Sequence, residues 1–277
     1  MFREGRFYFS IRASCGIIIT EGGADDEPSG IQTDPAGKRH AVLMLHGIVG
    51  TPHHFDDLIP LIPENWSVVN LLLEGHGQGA TEFGAASMDQ WKGQVSRELD
   101  ALLAYHEKVL IVGHSMGTLF AIQSAIDCPD RVAGLFLQAV PLRPYVHPKM
   151  TLASAKLMLD MGVEEDPLAQ ALERDSGVEV DWRLWKYTRW PVRFVELLAE
   201  CERIRRELPR LQVPTIAVQS LRDELVSDIS IRDLQKNPCV RVVEMEQAGH
   251  FGYEGEEQIR MLQCFREMIA DCACRGR

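Results

Sequence analysis

The sequence predicts an α/β fold: a doubly wound, mostly parallel sheet with flanking helices and an inserted helical cap. Three observations predict it. Short β-branched runs alternate with helical patterns, the rhythm of strands joined by crossover helices. One run, residues 109–112, leads directly into Gly113-His114-Ser115-Met116-Gly117 and then into a helical pattern from Thr118, which reads as strand, tight turn and helix. The rhythm lapses between Pro141 and about Pro209, where helical spacing continues without a convincing strand.

Taken in order, residues 7–11 and 16–20 have strand character and precede a loop-like stretch, 21–37, rich in Gly, Asp and Pro. An antiparallel hairpin at the start of the sheet is expected there. Further strands are expected at 41–45, 67–73, 108–112, 134–139, 214–220 and 240–245, each bounded by Gly, Pro or polar residues. Residues 87–106 form a helix that opens with a capping box, Ser87 with Gln90, and sets Trp91, Val95, Leu99, Leu102 and Leu103 on one side. Residues 255–272 repeat that spacing through Ile259, Leu262, Phe265 and Ile269. Within the lapse, 149–161 is helical, and 182–194 is rich in Trp. The expected division is a core of residues 1–140 and 210–277 and a cap of residues 141–209.

At 277 residues the chain suits one α/β domain with an insertion. Its formal net charge of -11 repels phosphate backbones and anionic membrane surfaces, which argues against nucleic acid as a partner. No run of about eighteen apolar residues occurs, and Met1 to Arg12 mixes charges with aromatics where a secretory signal has a basic and then an apolar stretch. Neither stable membrane insertion nor secretion is expected, and the location is expected to be cytoplasmic. The seven cysteines (Cys15, Cys128, Cys201, Cys239, Cys264, Cys272, Cys274) are odd in number and lack framework spacing, so reduced thiols are expected. Cys272 and Cys274 fall in a charged tail.

A serine on so sharp a turn projects its hydroxyl above the sheet edge, and glycines two places to either side remove Cβ atoms that would clash. A serine hydroxyl is a weak nucleophile at neutral pH, so it needs a base to take its proton and an acid to orient that base. Asp223 and His250 follow in that order, each just beyond the end of a late expected strand. Glu224 and Asp228 compete with Asp223: Glu224 should face another way, and Asp228 should be the carboxylate of a helix N-terminus. The tetrahedral intermediate also needs amide donors for its oxyanion. The backbone N–H of Met116, at a helix start, is one candidate; that of Ile48, in the glycine-rich stretch after residues 41–45, is the second.

Leu45-His46-Gly47 followed by Gly50-Thr51-Pro52, then Gly75-His76-Gly77, the 113–117 turn, Asp223 before Val226, and Ala248-Gly249-His250 resemble the α/β-hydrolase family. Within it they resemble the small carboxylesterases and monoacylglycerol-lipase-like enzymes. Order and separation agree over roughly residues 40–140 and 210–272. The resemblance implies an oxyanion hole from Ile48 and Met116, no cofactor, and a lid of residues 141–209 over an acyl pocket. One departure is Thr118, where many relatives carry a second glycine. The opening 35 residues have no counterpart in it.

The expected activity is cleavage of small carboxylic esters with short to medium acyl chains through a Ser115–His250–Asp223 acyl-enzyme. Ile48, Trp182, Trp185, Val226 and Phe251 are the candidate substrate-binding residues. Trp182, Trp185, Trp190 and Phe194 recur near helical spacing, which suits either a packed face or an acyl lining. The same triad also serves thioester, amide or carbon–carbon hydrolysis, and the fold also serves small-molecule receptors that turn nothing over. His46, His53, His54 and His76 share no ligand spacing with a carboxylate, so no metal is expected.

Overall fold

The structure is a computed structural model and describes residues 17–18 and 40–275. Its strands are β1 (Ile17–Ile18), β2 (His40–Leu45), β3 (Ser67–Leu71), β4 (Gln78–Gly79), β5 (Lys108–His114), β6 (Val132–Gln138), β7 (Val178–Glu179), β8 (Thr215–Ser220) and β9 (Val240–Met245). The α-helices are α1 (Ala80–Ala85), α2 (Met88–Leu103), α3 (Met116–Asp127), α4 (Pro148–Leu159), α5 (Pro167–Asp175), α6 (Trp190–Glu207), α7 (Ile229–Leu234) and α8 (Gly255–Arg275). Seven strands form one sheet in the order β1-β3-β2-β5-β6-β8-β9, and every pair in it is parallel.

Alternation along the central strands divides the core. Ala41, Leu43, Val109, Ile111, Leu135 and Leu137 pack into one apolar cluster with Trp91, Val95 and Leu99 of α2, Leu119 and Ile122 of α3, and Ile204 of α6. Val42, Met44, Leu110, Val112 and Phe136 face the opposite cluster, with Phe55, Leu58 and the α8 residues Met261, Phe265 and Met268. Successive strand side chains point to opposite faces, so helices are needed on both sides. Each fully buried chain of this size contributes about 1.5–3 kcal/mol.

Helix α2 starts where its cap predicts. The Ser87 hydroxyl accepts the Gln90 amide at 3.2 Å and donates to the Gln90 side-chain oxygen at 2.9 Å. β3 stops at Leu71, two residues short of its sequence signal, because its next backbone groups leave the ladder. The Leu72 carbonyl accepts from Gln94 Nε2 at 2.9 Å, and the Leu73 amide donates to His46 Nε2 at 3.0 Å.

Of the segment where an antiparallel hairpin was expected, Ile17–Ile18 is described and runs parallel to β3 at the sheet edge. The other hairpin residues lie outside the described residues. The interval 141–209 contains a strand after all, β7, which pairs with β4 in a second, two-stranded sheet. Two residues carry no period, and the partner lies far away in sequence. Cys272 belongs to α8 and is buried in the core, not set in a tail.

β6 and β8 are parallel neighbours in the sheet, so the chain between them returns across one face, which α6 covers through Cys201 and Ile204, and the segments before α6 are inserted at the strand ends. The same carboxyl edge also contains the point where the chain order reverses, between β2 and β5. Crossovers diverge there and leave a crevice open. Leu45 of β2 pairs with Gly113 of β5, so the loops after these two strands begin side by side.

Candidate active site

Ser115 sits between β5 and α3 at φ 49° and ψ -120°, a conformation that few L residues adopt. Its surroundings hold it there. The Ser115 amide donates to the Gln138 carbonyl at 2.9 Å, and its carbonyl accepts from both the amide (3.0 Å) and the hydroxyl (2.6 Å) of Thr118. Thr118 thus adds a hydrogen bond that a glycine lacks. The flanking glycines are required by space: a Cβ on Gly117 would lie 2.0 Å from the Leu45 carbonyl oxygen, and one on Gly113 2.8 Å from Thr118 Cα. The helix begins at Met116, two residues before its sequence pattern.

His250 arrives from the loop after β9, with Nε2 3.2 Å from Ser115 Oγ. Its Nδ1 is 2.9 Å from each oxygen of the Asp223 carboxylate, in the loop after β8. The carboxylate is aimed by its own turn, for Asp223 Oδ1 also accepts the amides of Leu225 (2.7 Å) and Val226 (2.8 Å). With Nδ1–H donated to Asp223, Nε2 is the free acceptor facing the serine. All three residues are buried. Burial opposes the charged imidazole, but the charge and hydrogen bond of Asp223 outweigh it and raise the His250 pKa above its ordinary 6.5.

The backbone of His250 is gripped from two sides. Its amide donates to the Glu224 carboxylate at 2.9 Å, and its carbonyl accepts from His114 Nε2 at 3.0 Å. Glu224 therefore faces away from the imidazole, as expected, but has a structural task of its own. Asp228 stands at the N-cap of α7 without capping it through its side chain.

The loop after β2 comes up beside the serine: a Cβ on Gly47 would lie 3.0 Å from Ser115 Cβ. Two bonds lock the peptide plane between Gly47 and Ile48. The Gly47 carbonyl accepts the Gly50 amide at 3.0 Å and the His46 Nδ1–H at 2.8 Å. A trans peptide points its N–H opposite its C=O, so the Ile48 N–H faces out of the turn. Met116 opens α3, and its amide has no carbonyl one turn earlier in the helix. His46 and His76 are histidines whose weight the sequence did not reveal. Burial holds His46 down at about 4 and His76 well below its ordinary value, so both rings are neutral. Each is an Nδ1–H tautomer with an accepting Nε2, His46 for the Leu73 amide and His76 for the Val49 amide at 3.1 Å. Among the described residues no group of three or more His, Cys, Asp or Glu is placed to hold a metal ion.

A cavity of about 330 Å³ opens beside Ser115 and His250. From the insertion it is lined by Met150, Leu157, Leu172, Val178, Trp190 and Phe194. Among the described residues, the charged side chains on its wall are Asp175 and Glu179, with no lysine or arginine.

A family model described as the alpha/beta hydrolase family matches residues 42–259, most of the chain. The chain belongs to the alpha/beta hydrolase family.

Among curated relatives of this alpha/beta hydrolase, the pimeloyl-[acyl-carrier protein] methyl ester esterase of Neisseria meningitidis is 35% identical over 101 residues, 35% of this chain and 36% of that one. A monoglyceride lipase homolog of Monkeypox virus is 22% identical over 237 residues, 79% of this chain and 84% of that one. The first curated relatives are matched over only 26% and 36% of their own length. Among solved structures, one from the metagenome-derived lipolytic pair LipS and LipT superposes with a TM-score of 0.64 at 20% identity, covering 84% of this chain and 94% of that one. At that identity the likeness shows the fold.

Of the five candidate substrate-binding residues of this alpha/beta hydrolase, Ile48 and Phe251 line the cavity. Val226 does not. It is buried behind the Asp223 turn, with its amide on the carboxylate, and Leu225 faces the cavity in its place. Trp182 and Trp185 are corrections too: they stack edge to face on the surface, 73% and 64% exposed. Trp182 precedes the 3-10 turn Leu184–Tyr187 and Trp185 lies within it, whereas Trp190 and Phe194 belong to α6, so the helical spacing that links the four in sequence is not continued in space. Tyr145, which no sequence pattern marks, donates its hydroxyl to the Asp223 carbonyl at 2.6 Å.

Among the described residues no helix is long and apolar enough to cross a membrane.

Proposed function

We propose that this chain is a serine esterase that cleaves small carboxylic esters with uncharged, short to medium acyl chains. Ser115 Oγ attacks the ester carbonyl while His250 Nε2 takes its proton, and Asp223 holds the Nδ1–H tautomer and stabilises the imidazolium. The oxyanion takes hydrogen bonds from the Ile48 and Met116 amides, each worth about 3–4 kcal/mol in systems of this kind. His250 returns the proton to the leaving alcohol. A water, activated by the same nitrogen, then releases the acid. Residues 141–209 act as a cap over the acyl chain.

The observation that carries this reading is the aligned pair of contacts at His250, 3.2 Å to Ser115 and 2.9 Å to Asp223, at the wall of an apolar cavity. A cavity of about 330 Å³ lies at the small end of ligand sites and suits a modest acyl chain. A carboxylate on that chain would be buried against Asp175 and Glu179 without a cation to meet it, which is strongly unfavourable. The ester-cleaving names among the relatives support the bond type.

The test is labelling of Ser115 by a fluorophosphonate, followed by hydrolysis of a series of nitrophenyl esters. Wild type should label and Ser115→Ala should not. Nitrophenyl octanoate should be cleaved at least about tenfold faster in kcat/KM than the mono-nitrophenyl ester of suberate, which adds a terminal carboxylate. A wild type that takes no label would shift the assignment to a ligand receptor.

A further inference from the structure

The turn beside Ser115 is built on a backbone conformation that its residue does not favour. Gly47 and Gly50 close it, and Val49 occupies its third position at φ 59°. Glycine normally fills such a position, because a β-branched side chain is strained at positive φ. Strain of this kind persists where surrounding contacts impose it. Two hydrogen bonds do so here. The Val49 amide donates to His76 Nε2 at 3.1 Å, and the Val49 carbonyl accepts from the Gly177 amide at 2.7 Å. His76 precedes β4, while Gly177 lies in the insertion, between α5 and β7.

We infer that Gly177 is a positioning residue for the oxyanion hole: seating of the inserted segment on Val49 holds the turn that aims the Ile48 amide. This rests on the reading of Ile48 as an oxyanion donor. Gly177 fits with no space to spare, since a Cβ there would lie 2.0 Å from the Gly50 carbonyl oxygen. Its own carbonyl accepts the Gly77 amide, and β7 then pairs with β4. Two residues earlier, the Asp175 carboxylate meets His54 Nδ1 at 3.4 Å.

The rest of this part of the insertion is a small body. Helices α4 and α5 pack on each other around Ala153, Val163 and Ala169, a cluster separate from the two main cores. One end of it is tied to the acid loop by the Tyr145 and His147 amides, which donate to the Leu225 and Glu224 carbonyls. The other end is residues 175–179. When that end lifts, Val49 loses one of the two bonds that impose its conformation. The seated insertion and a correctly formed oxyanion hole are therefore one coupled state, and an ester too short to touch the cap still depends on it.

Two measurements test this. In Gly177→Ala, kcat for nitrophenyl acetate should fall at least about tenfold while KM stays within about twofold, because an interaction made in the transition state is lost. Adding Val49→Gly should restore much of that kcat, since glycine adopts positive φ unaided. A loss confined to KM, or no rescue, overturns the proposal. The second measurement uses wild type and so survives a variant that fails to fold. Phosphonylation of Ser115 by a small methylphosphonate fills the oxyanion site without reaching Gly177, and should slow hydrogen exchange at the Gly177 amide by about tenfold, as reciprocal coupling requires. Labelled enzyme with unchanged exchange at Gly177 defeats the coupling alone. Absence of any label defeats the esterase reading and this inference with it.

Discussion

Asp223 reaches His250 Nδ1 with both carboxylate oxygens at 2.9 Å, and it is this contact that turns Nε2 towards Ser115. Asp223→Asn should therefore keep the fold but lower kcat by on the order of 10⁴, through loss of the correct tautomer. A loss below about tenfold, measured with nitrophenyl butanoate, would show that another group orients the ring.

The same contact sets a pH dependence. In the proposed mechanism His250 must be neutral to act as base, and its pKa lies above 6.5 because Asp223 outweighs burial. The acid limb of kcat/KM should fall above pH 6.5 in wild type and move to lower pH in Asp223→Asn, where burial acts with less opposition. A pH–rate profile of both proteins checks the order of the limbs.

Acid should also weaken the fold. His46, His76 and His114 are buried with pKa values held below 6.5, His46 at about 4. Below pH 6.5 the unfolded chain binds protons that these rings do not, so stability falls as pH drops from 6.5 towards 4, by roughly 3 kcal/mol for His46 alone. His250 runs the other way: its raised pKa contributes stability at low pH that is lost as pH rises through its folded value. Three rings against one predict a lower urea midpoint near pH 5 than near pH 7, and equal midpoints would contradict it.

Gly117→Ala tests the turn itself. Its new methyl would overlap the Leu45 carbonyl, forcing β2 and α3 apart at the switch point. Destabilisation above about 4 kcal/mol is expected, read from chemical denaturation; a well-folded, active variant would contradict the close approach.

The cavity wall separates two aromatic residues that look alike in sequence. Phe194→Ala should raise KM for nitrophenyl octanoate about tenfold and hardly change that for the acetate. Trp182→Ala, altering an exposed ring, should leave both within about twofold. The opposite ranking would place the acyl chain elsewhere.

Much of this was legible in the chain. Strands buried on both faces announce themselves as apolar runs, as 41–45 and 109–112 do, and the capping box at Ser87 marks a helix start without help from tertiary contacts. Ser115 was legible because the turn needs glycines two residues to either side, a local requirement. The insertion was not: Trp182 and Trp190 share a spacing, but a 3-10 turn leaves the first in solvent and carries the second to the cavity.

Local backbone demands, strand periodicity and the order serine, acid, histidine are written along the chain, because each depends on neighbours a few residues away or on order alone. What tertiary structure decided is the set of contacts between remote segments. Among them are His76 on the Val49 amide, Gly177 on its carbonyl, Tyr145 on the Asp223 loop, and the apolar wall of the cavity beside Ser115. Such contacts leave no period in the sequence, since each joins single residues whose partners are chosen by how the sheet edge brings its loops together.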